Sequence, residues 1–288
     1  MNKLRRGLKE TFLTAPSMGW LFFFFFIPAC IVYAYAFRTT DINGTITPFW
    51  SLDAMKTLLH QRSLVTILRT IHLSAWTTFL CVSLAVPVAY TMATAPAKHQ
   101  KKLLFLVVLP LWSSFLVRIF AWKILLHPEG IVKYSLVFLG LIDEKTPLLY
   151  NNAAVLLVMC YSYLPFAILP LYSAASKFNF DLFEAAMDLG ATKRQAFFKI
   201  FLPGIRPAIL TAALMVLIPA AGAYVIPEIV GGKSSEMVGN LIAERVFIAR
   251  DLPDASALSV LLSVLLFIPS IIAATWKTRQ EKQKKAVA

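Results

Sequence analysis

Acidic residues are scarce in this chain: 15 Asp and Glu stand against 28 Lys and Arg in 288 residues, and charged residues of all kinds make up only 15%. A soluble domain carries about 25% charged residues, so the deficit argues against a water-facing globule. Cysteine is limited to Cys30, Cys81 and Cys160, each inside an apolar run and none at metal-ligand spacing. They read as small packing residues, not as a disulfide scaffold or a metal site. The four histidines (His60, His72, His99, His127) are scattered, and no Ser/His/Asp constellation accompanies them. A phosphate-binding loop is also missing. Its nearest approximation is Gly232-Lys233-Ser234, and Pro227 stands where the motif needs its first glycine. The chain is therefore not expected to be an enzyme, to hold a metal or to carry a cofactor of its own. Alternating barrel strands are lacking as well.

What the sequence has in excess is apolar length. Hydrophobic residues make up 58%, Phe alone occurs 22 times, and mean hydropathy is +0.70. A bilayer core of ~30 Å needs about 20 apolar helical residues. Six stretches meet that length, near Ser17–Phe37, Thr70–Thr94, Leu103–Leu126, Asn152–Ala174, Ala208–Val230 and Ala255–Trp276. Helix is the expected conformation, because lipid cannot satisfy open backbone groups. The net charge of +13 falls in short clusters between these runs, which is a pattern of membrane topology and not of a nucleic-acid face.

Lys and Arg concentrate in alternate segments. One set comprises Lys3, Arg5, Arg6 and Lys9, then Lys98, Lys101 and Lys102, then Lys177, Lys193, Arg194, Lys199 and Arg206, and finally Lys277, Arg279, Lys282, Lys284 and Lys285. These outnumber the basic residues of the other set, so both termini are expected in the cytoplasm. Six crossings agree with that parity. The first run resembles a signal peptide in its flanks, with Ala34-Tyr35-Ala36 after it, but it is too long for a signal core and reads as a retained span. Prolines in the spans imply bends, used either for packing or to line a gated path. Arg118 and Lys123 lie inside the third run, and Arg118 is expected to act in structural pairing.

The segment from Lys177 to Pro207 predicts a helix, a glycine turn and a second helix. Asp181 with Glu184 suggests one N-terminal cap, Gly190 a left-handed stop, and Thr192 with Gln195 a second capping box. The second helix is expected to end at Leu202-Pro203. Phe183, Met187, Leu189, Phe197, Phe198, Ile200 and Phe201 would form an apolar surface rimmed by charge. Periodicity alone leaves two readings open, a protein-docking surface or an interfacial helix on lipid.

Glu184-Ala185-Ala186-Met187-Asp188-Leu189-Gly190-Ala191-Thr192, followed by Ile200-Phe201-Leu202-Pro203, resembles the EAA loop of ABC importer permeases. The resemblance implies an all-α integral membrane fold of six transmembrane helices, the type I importer permease fold. Residues 1–65 would hold the N-terminal segment, first span and external loop. Residues 66–276 would form the permease core, with the loop at about 178–207, and 277–288 a basic tail. It further implies that Glu184, Ala185, Ala186, Asp188, Gly190, Ile200, Leu202 and Pro203 couple the chain to a cytoplasmic ATPase dimer, which would hold ATP and Mg. A second permease subunit, an external solute-binding protein and membrane lipid would be the other partners.

A narrower resemblance, to spermidine/putrescine permeases, rests on Leu111–Trp122, on Tyr161–Phe166 with Leu169–Tyr172, and on Gly222–Glu228 with Gly231-Gly232. It implies a polyamine path, for which Trp112, Tyr161, Tyr163, Tyr224 and Glu228 are the candidate lining residues. Aromatic faces and a carboxylate suit a flexible polycation. The alternatives are an importer permease for another small solute, a stand-alone channel or secondary transporter, and a membrane-embedded enzyme. Internal repeats, intramembrane ion ligands and a catalytic set, which the last two would need, are not evident.

Overall fold

The computed structural model describes residues 14–41 and 46–287. The basic cluster at residues 3–9 lies outside them. The chain divides into two compact units, one from Met1–Leu64 with Leu241–Val264, the other from Val65–Asn240 with Leu265–Ala288. Among the described residues, four helices are long and apolar enough to cross a membrane: α1 (Thr14–Tyr35), α3 (Gln61–Thr94), α7 (Asn152–Ala175) and the Leu252–Ile272 part of the last helix. Two bent pairs pass the same test, for up to six crossings in all.

In the first unit, α1 exposes every ring of its Phe22–Phe26 run. Such a surface is tolerable only in lipid or against another protein. A two-stranded antiparallel hairpin follows, β1 (Arg38–Thr40) and β2 (Ile46–Trp50), pairing Arg38 with Trp50 and Thr40 with Ile46. The all-α expectation missed it. Its signal is the density of Thr, Ile, Phe and Trp, residues that favour a pleated surface. Beyond it lies the short helix α2 (Asp53–Thr57), where Lys56 Nζ donates to Asp53 at 2.8 Å and holds that carboxyl below its usual range. Polar pairs tie the rest of the unit. Arg62 meets Glu244 in two bonds of 3.2 and 2.7 Å, Arg245 meets Asp254 at 2.9 Å, and Thr40 donates to Asp251 at 2.9 Å.

The second unit is built around α7. Asn151 caps it by accepting from the Ala154 N–H at 2.8 Å, in an extended conformation suited to a cap. Val155, Val158, Met159, Ala167 and Leu171 are fully or nearly fully buried along it. It packs mainly on α10 (Arg206–Ala221). The helix α3 buries Thr66, Thr70, Ser74 and Thr77 on one face. Two of these hydroxyls bond back to their own helix, Thr70 to Thr66 O at 2.8 Å and Ser74 to Thr70 O at 2.7 Å, which satisfies them without water. Small residues of this kind permit close helix approach in a membrane.

Two expected spans differ from the structure, and the helix of the last runs on past its end. The third is no straight helix. Helix α4 (Ala97–Val108) runs on as a tighter turn to Trp112, Ser113 and Ser114 are extended, and α5 (Phe115–Leu125) leaves at 90°. Pro110 and the Ser113 Oγ bond to its carbonyl at 2.8 Å account for the stop. The fifth breaks after α10. Gly222 to Tyr224 lie outside regular helix, and a wide-turn helix follows over Pro227–Gly231. After a short helix α6 (Ile131–Phe138) and the later α11 (Val238–Ala243), the chain ends in α12 (Leu252–Val287). That helix continues through the basic segment expected as a separate tail.

Candidate functional site

Helix α8 (Asp181–Asp188) and helix α9 (Lys193–Gly204) form the segment between α7 and α10. Its ends are set partly as the sequence suggests. Thr192 Oγ1 accepts from Gln195 N at 3.3 Å, and Gln195 Oε1 accepts from Thr192 N at 2.9 Å, a reciprocal capping box. Gly190 sits at φ +89°. Asp181, however, is the first helical residue and caps nothing. Asn179 Oδ1 accepts its N–H at 3.0 Å, so the capping side chain stands two residues earlier than expected. The second helix also does not stop at Leu202-Pro203. It widens over Phe197–Phe201 and continues to Gly204, then turns 71° into α10. The wide turn leaves a break in the ladder where Pro203, which has no N–H to donate, is accommodated.

The pair of helices has two faces. Phe183, Ala196 and Phe201 are buried, against the expectation that the phenylalanines form the outer surface. They close with Phe178, Phe180 and Phe197 around Tyr90 of α3. Ring centroids lie 5.1 Å from Tyr90 for Phe201, 5.2 Å for Phe197, 5.9 Å for Phe183 and 6.2 Å for Phe180. Edge and tilted geometries dominate, as the ring quadrupoles favour. The outer face carries Leu182, Glu184, Ala185, Asp188, Leu189 and Phe198, with Leu189 90% exposed. Neither Glu184 nor Asp188 has a side-chain partner among the described residues. Ala186, Ile200, Leu202 and Pro203 are half-buried, so the motif residues do not all share one surface. Periodicity could not reveal Tyr90. Only the tertiary fold brings a residue a hundred positions away into the aromatic cluster.

Among the described residues, the candidate path residues have separate partners, apart from the Tyr224–Glu228 pair. Trp112 is exposed and stacks edge-on to Phe105 at 5.6 Å, and Tyr161 does so to Trp122 at 5.4 Å. Tyr163 is buried, and its hydroxyl donates to the Pro219 carbonyl at 3.3 Å near the end of α10. That carbonyl is one of the helix-end acceptors left without an intrahelical donor, so Tyr163 closes a helix end. Tyr224 and Glu228 stay exposed and lie one turn apart, Glu228 N donating to Tyr224 O at 3.1 Å. Asn240, which the sequence did not single out, donates to Glu228 Oε2 at 2.8 Å and to Tyr224 O at 2.9 Å.

A bundle of apolar and bent helices, with a structured two-helix segment ahead of the penultimate span, is the architecture of a type I ABC importer permease. The chain belongs to the family described as binding-protein-dependent transport system inner membrane component, whose model matches residues 2–285. It is a transport subunit of the inner membrane. It is 32% identical over 268 residues to the spermidine/putrescine transport system permease protein PotB of Escherichia coli strain K12, covering 93% of this chain and 97% of that one. It is 36% identical over 248 residues to PotB of Haemophilus influenzae, covering 86% and 87%. Among solved structures, it resembles that of a bacterial ABC transporter importing the acidic polysaccharide alginate, with a TM-score of 0.78, 19% identity and coverage of 96% and 99%. It also resembles an alginate transporter in complex with its pentasaccharide-bound periplasmic protein, at a TM-score of 0.76 and 18% identity. The alginate structures share the fold.

Proposed function

We propose that this chain forms half of the membrane path of a polyamine importer and is driven by a separate ATPase through α8 and α9. The observation that carries the substrate is the likeness to spermidine/putrescine permeases over 93% of the chain. The exposed ring of Tyr224 and the exposed carboxylate of Glu228 are compatible with a polycation.

The coupling reading rests on the two-faced helical pair. Glu184, Ala185, Asp188 and Gly190 face outward, where an ATPase subunit can be met, while the phenylalanines grip α3. Movement of the docked partner would then shift α3 as a rigid body. ATP and Mg belong on that partner dimer. A second permease subunit completes the path, and an external binding protein delivers the solute. The same reading sets both termini and the α8–α9 pair in the cytoplasm.

The test is reconstitution of this chain with its ATPase, second permease and binding protein in proteoliposomes. ATP-dependent uptake of labelled spermidine or putrescine is expected. Uptake of an unrelated solute with no polyamine transport overturns the substrate. An ATPase that still co-purifies with a Glu184→Lys, Gly190→Val chain overturns the docking surface.

A further inference from the structure

The break after α10 is bridged by one side chain, which adds a second bond to the Tyr224 carbonyl and one to a carboxylate a turn later. Asn240 donates one amide proton to the Tyr224 carbonyl at 2.9 Å and the other to Glu228 Oε2 at 2.8 Å. Its own Oδ1 accepts from Met237 N at 3.2 Å. The amide is thus fully used, and Asn240 is buried. The segment carrying it is tied to α3, where Thr70 Oγ1 accepts from Val238 N at 2.8 Å. It also approaches the break with no room to spare. A Cβ on Gly239 would stand 2.8 Å from the Ala223 carbonyl oxygen and 3.0 Å from Tyr224 Cβ. Only glycine at 239 lets Asn240 reach both partners.

The consequence is a carboxylate with a fixed aim. Glu228 is exposed, one oxygen is held by Asn240, and Oε1 has no partner among the described residues. Tyr224, one turn earlier, is 49% exposed. Glu228 itself sits in the wide-turn helix Pro227–Gly231, a conformation frequent at functional sites. Discontinuous helices in transporters place unwound backbone and free side chains together at solute sites.

We infer that Glu228, aimed by Asn240 beside the Tyr224 ring, is a binding site for a primary alkylammonium group. Oε1 accepts from the ammonium, and the ring offers its face to the charge and the adjoining methylenes. Asn240 is the positioning residue. This deepens the polyamine reading and rests on it for the identity of the ligand.

The probe is labelled spermidine, measured by equilibrium dialysis against the purified permease–ATPase complex without its binding protein, at low and high salt. Saturable binding that weakens with salt is expected of the wild type. Glu228→Gln keeps the shape and an acceptor for Asn240 but removes the charge. It should weaken binding about tenfold and flatten the salt dependence. Asn240→Ala and Gly239→Ala keep the charge but lose its aim, so affinity falls while the salt dependence remains. Absence of saturable binding in the wild type, or equal affinity in wild type and Glu228→Gln, overturns the site. Equal affinity in Asn240→Ala overturns the positioning role. Uptake in proteoliposomes separates the two ideas. Polyamine uptake with no dependence on Glu228 sinks the site alone. Charge-dependent binding in a complex that takes up no polyamine sinks the transport reading alone.

Discussion

Gly190 holds φ at +89°, and nothing lies within 4 Å of the place a Cβ would occupy. Its requirement is therefore conformational and not spatial. Gly190→Ala should cost about 1 kcal/mol, the usual penalty for a left-handed residue with a Cβ, and should leave measurable uptake. Gly190→Val adds a β-branched side chain that resists positive φ more strongly. It should abolish ATP-coupled uptake while the chain still inserts, which membrane yield and uptake assays check together. Arg118 poses the opposite problem, with ample chemistry and no partner. Its Nε and Nη1 are buried without a hydrogen bond in the described chain, and its Cζ lies 5.8 Å from the Phe115 ring. A ring face compensates a buried cation only in part. Arg118→Ala should reduce the yield of assembled complex more than it changes spermidine affinity. Full yield with altered transport selectivity would contradict that.

At the scale of elements, the sequence was most readable where chemistry is local. The Thr192–Gln195 box and the Gly190 turn each need only a few residues and appear as expected. The cap before α8 was misplaced because Asn179 and Asp181 both qualify by type, and two residues of register decide between them. The burial of Phe183 and Phe201, with Phe197 partly covered, was not readable, since a half-apolar helix says which face is greasy and not what covers it. What covers it is α3, through Tyr90. If the rings alone carry the contact, Tyr90→Phe should retain uptake within about twofold, because edge-to-face packing needs no hydroxyl. Tyr90→Ala leaves a cavity worth about 3–5 kcal/mol in a comparable core. It should leave ATP hydrolysis running without matching uptake. The ratio of ATP hydrolysed to spermidine transported is the measurement. An unchanged ratio in Tyr90→Ala places the lever elsewhere.

For the molecule as a whole, hydropathy counted the crossings well and described them poorly. Four of the six stretches correspond to single long helices, because about 20 apolar residues in lipid have few other options. The third and fifth runs are apolar too, yet one bends by 90° at Ser113–Ser114 and the other breaks at Gly222–Tyr224. Average hydropathy is blind to such breaks, since a backbone group left open at one can find its partner elsewhere in the fold, as the Pro219 carbonyl does in Tyr163. Orientation rests on a different signal, the asymmetry of Lys and Arg, and it makes a separate prediction. If positive segments stay inside, the α8–α9 turn and the α2 helix lie on opposite faces of the membrane. Ala191 on the turn and Asp53 on α2 lie outside the spans, the first partly exposed and the second exposed. With Cys30, Cys81 and Cys160 replaced by Ala, a membrane-impermeant thiol reagent should label Asp53→Cys in intact spheroplasts and Ala191→Cys only in inside-out vesicles. The reverse pattern would set the two-helix segment beyond the reach of any cytoplasmic ATPase. Labelling of both from one side would mean that α3, the α4–α5 bent pair and α7, which lie between those positions, do not add up to an odd number of crossings.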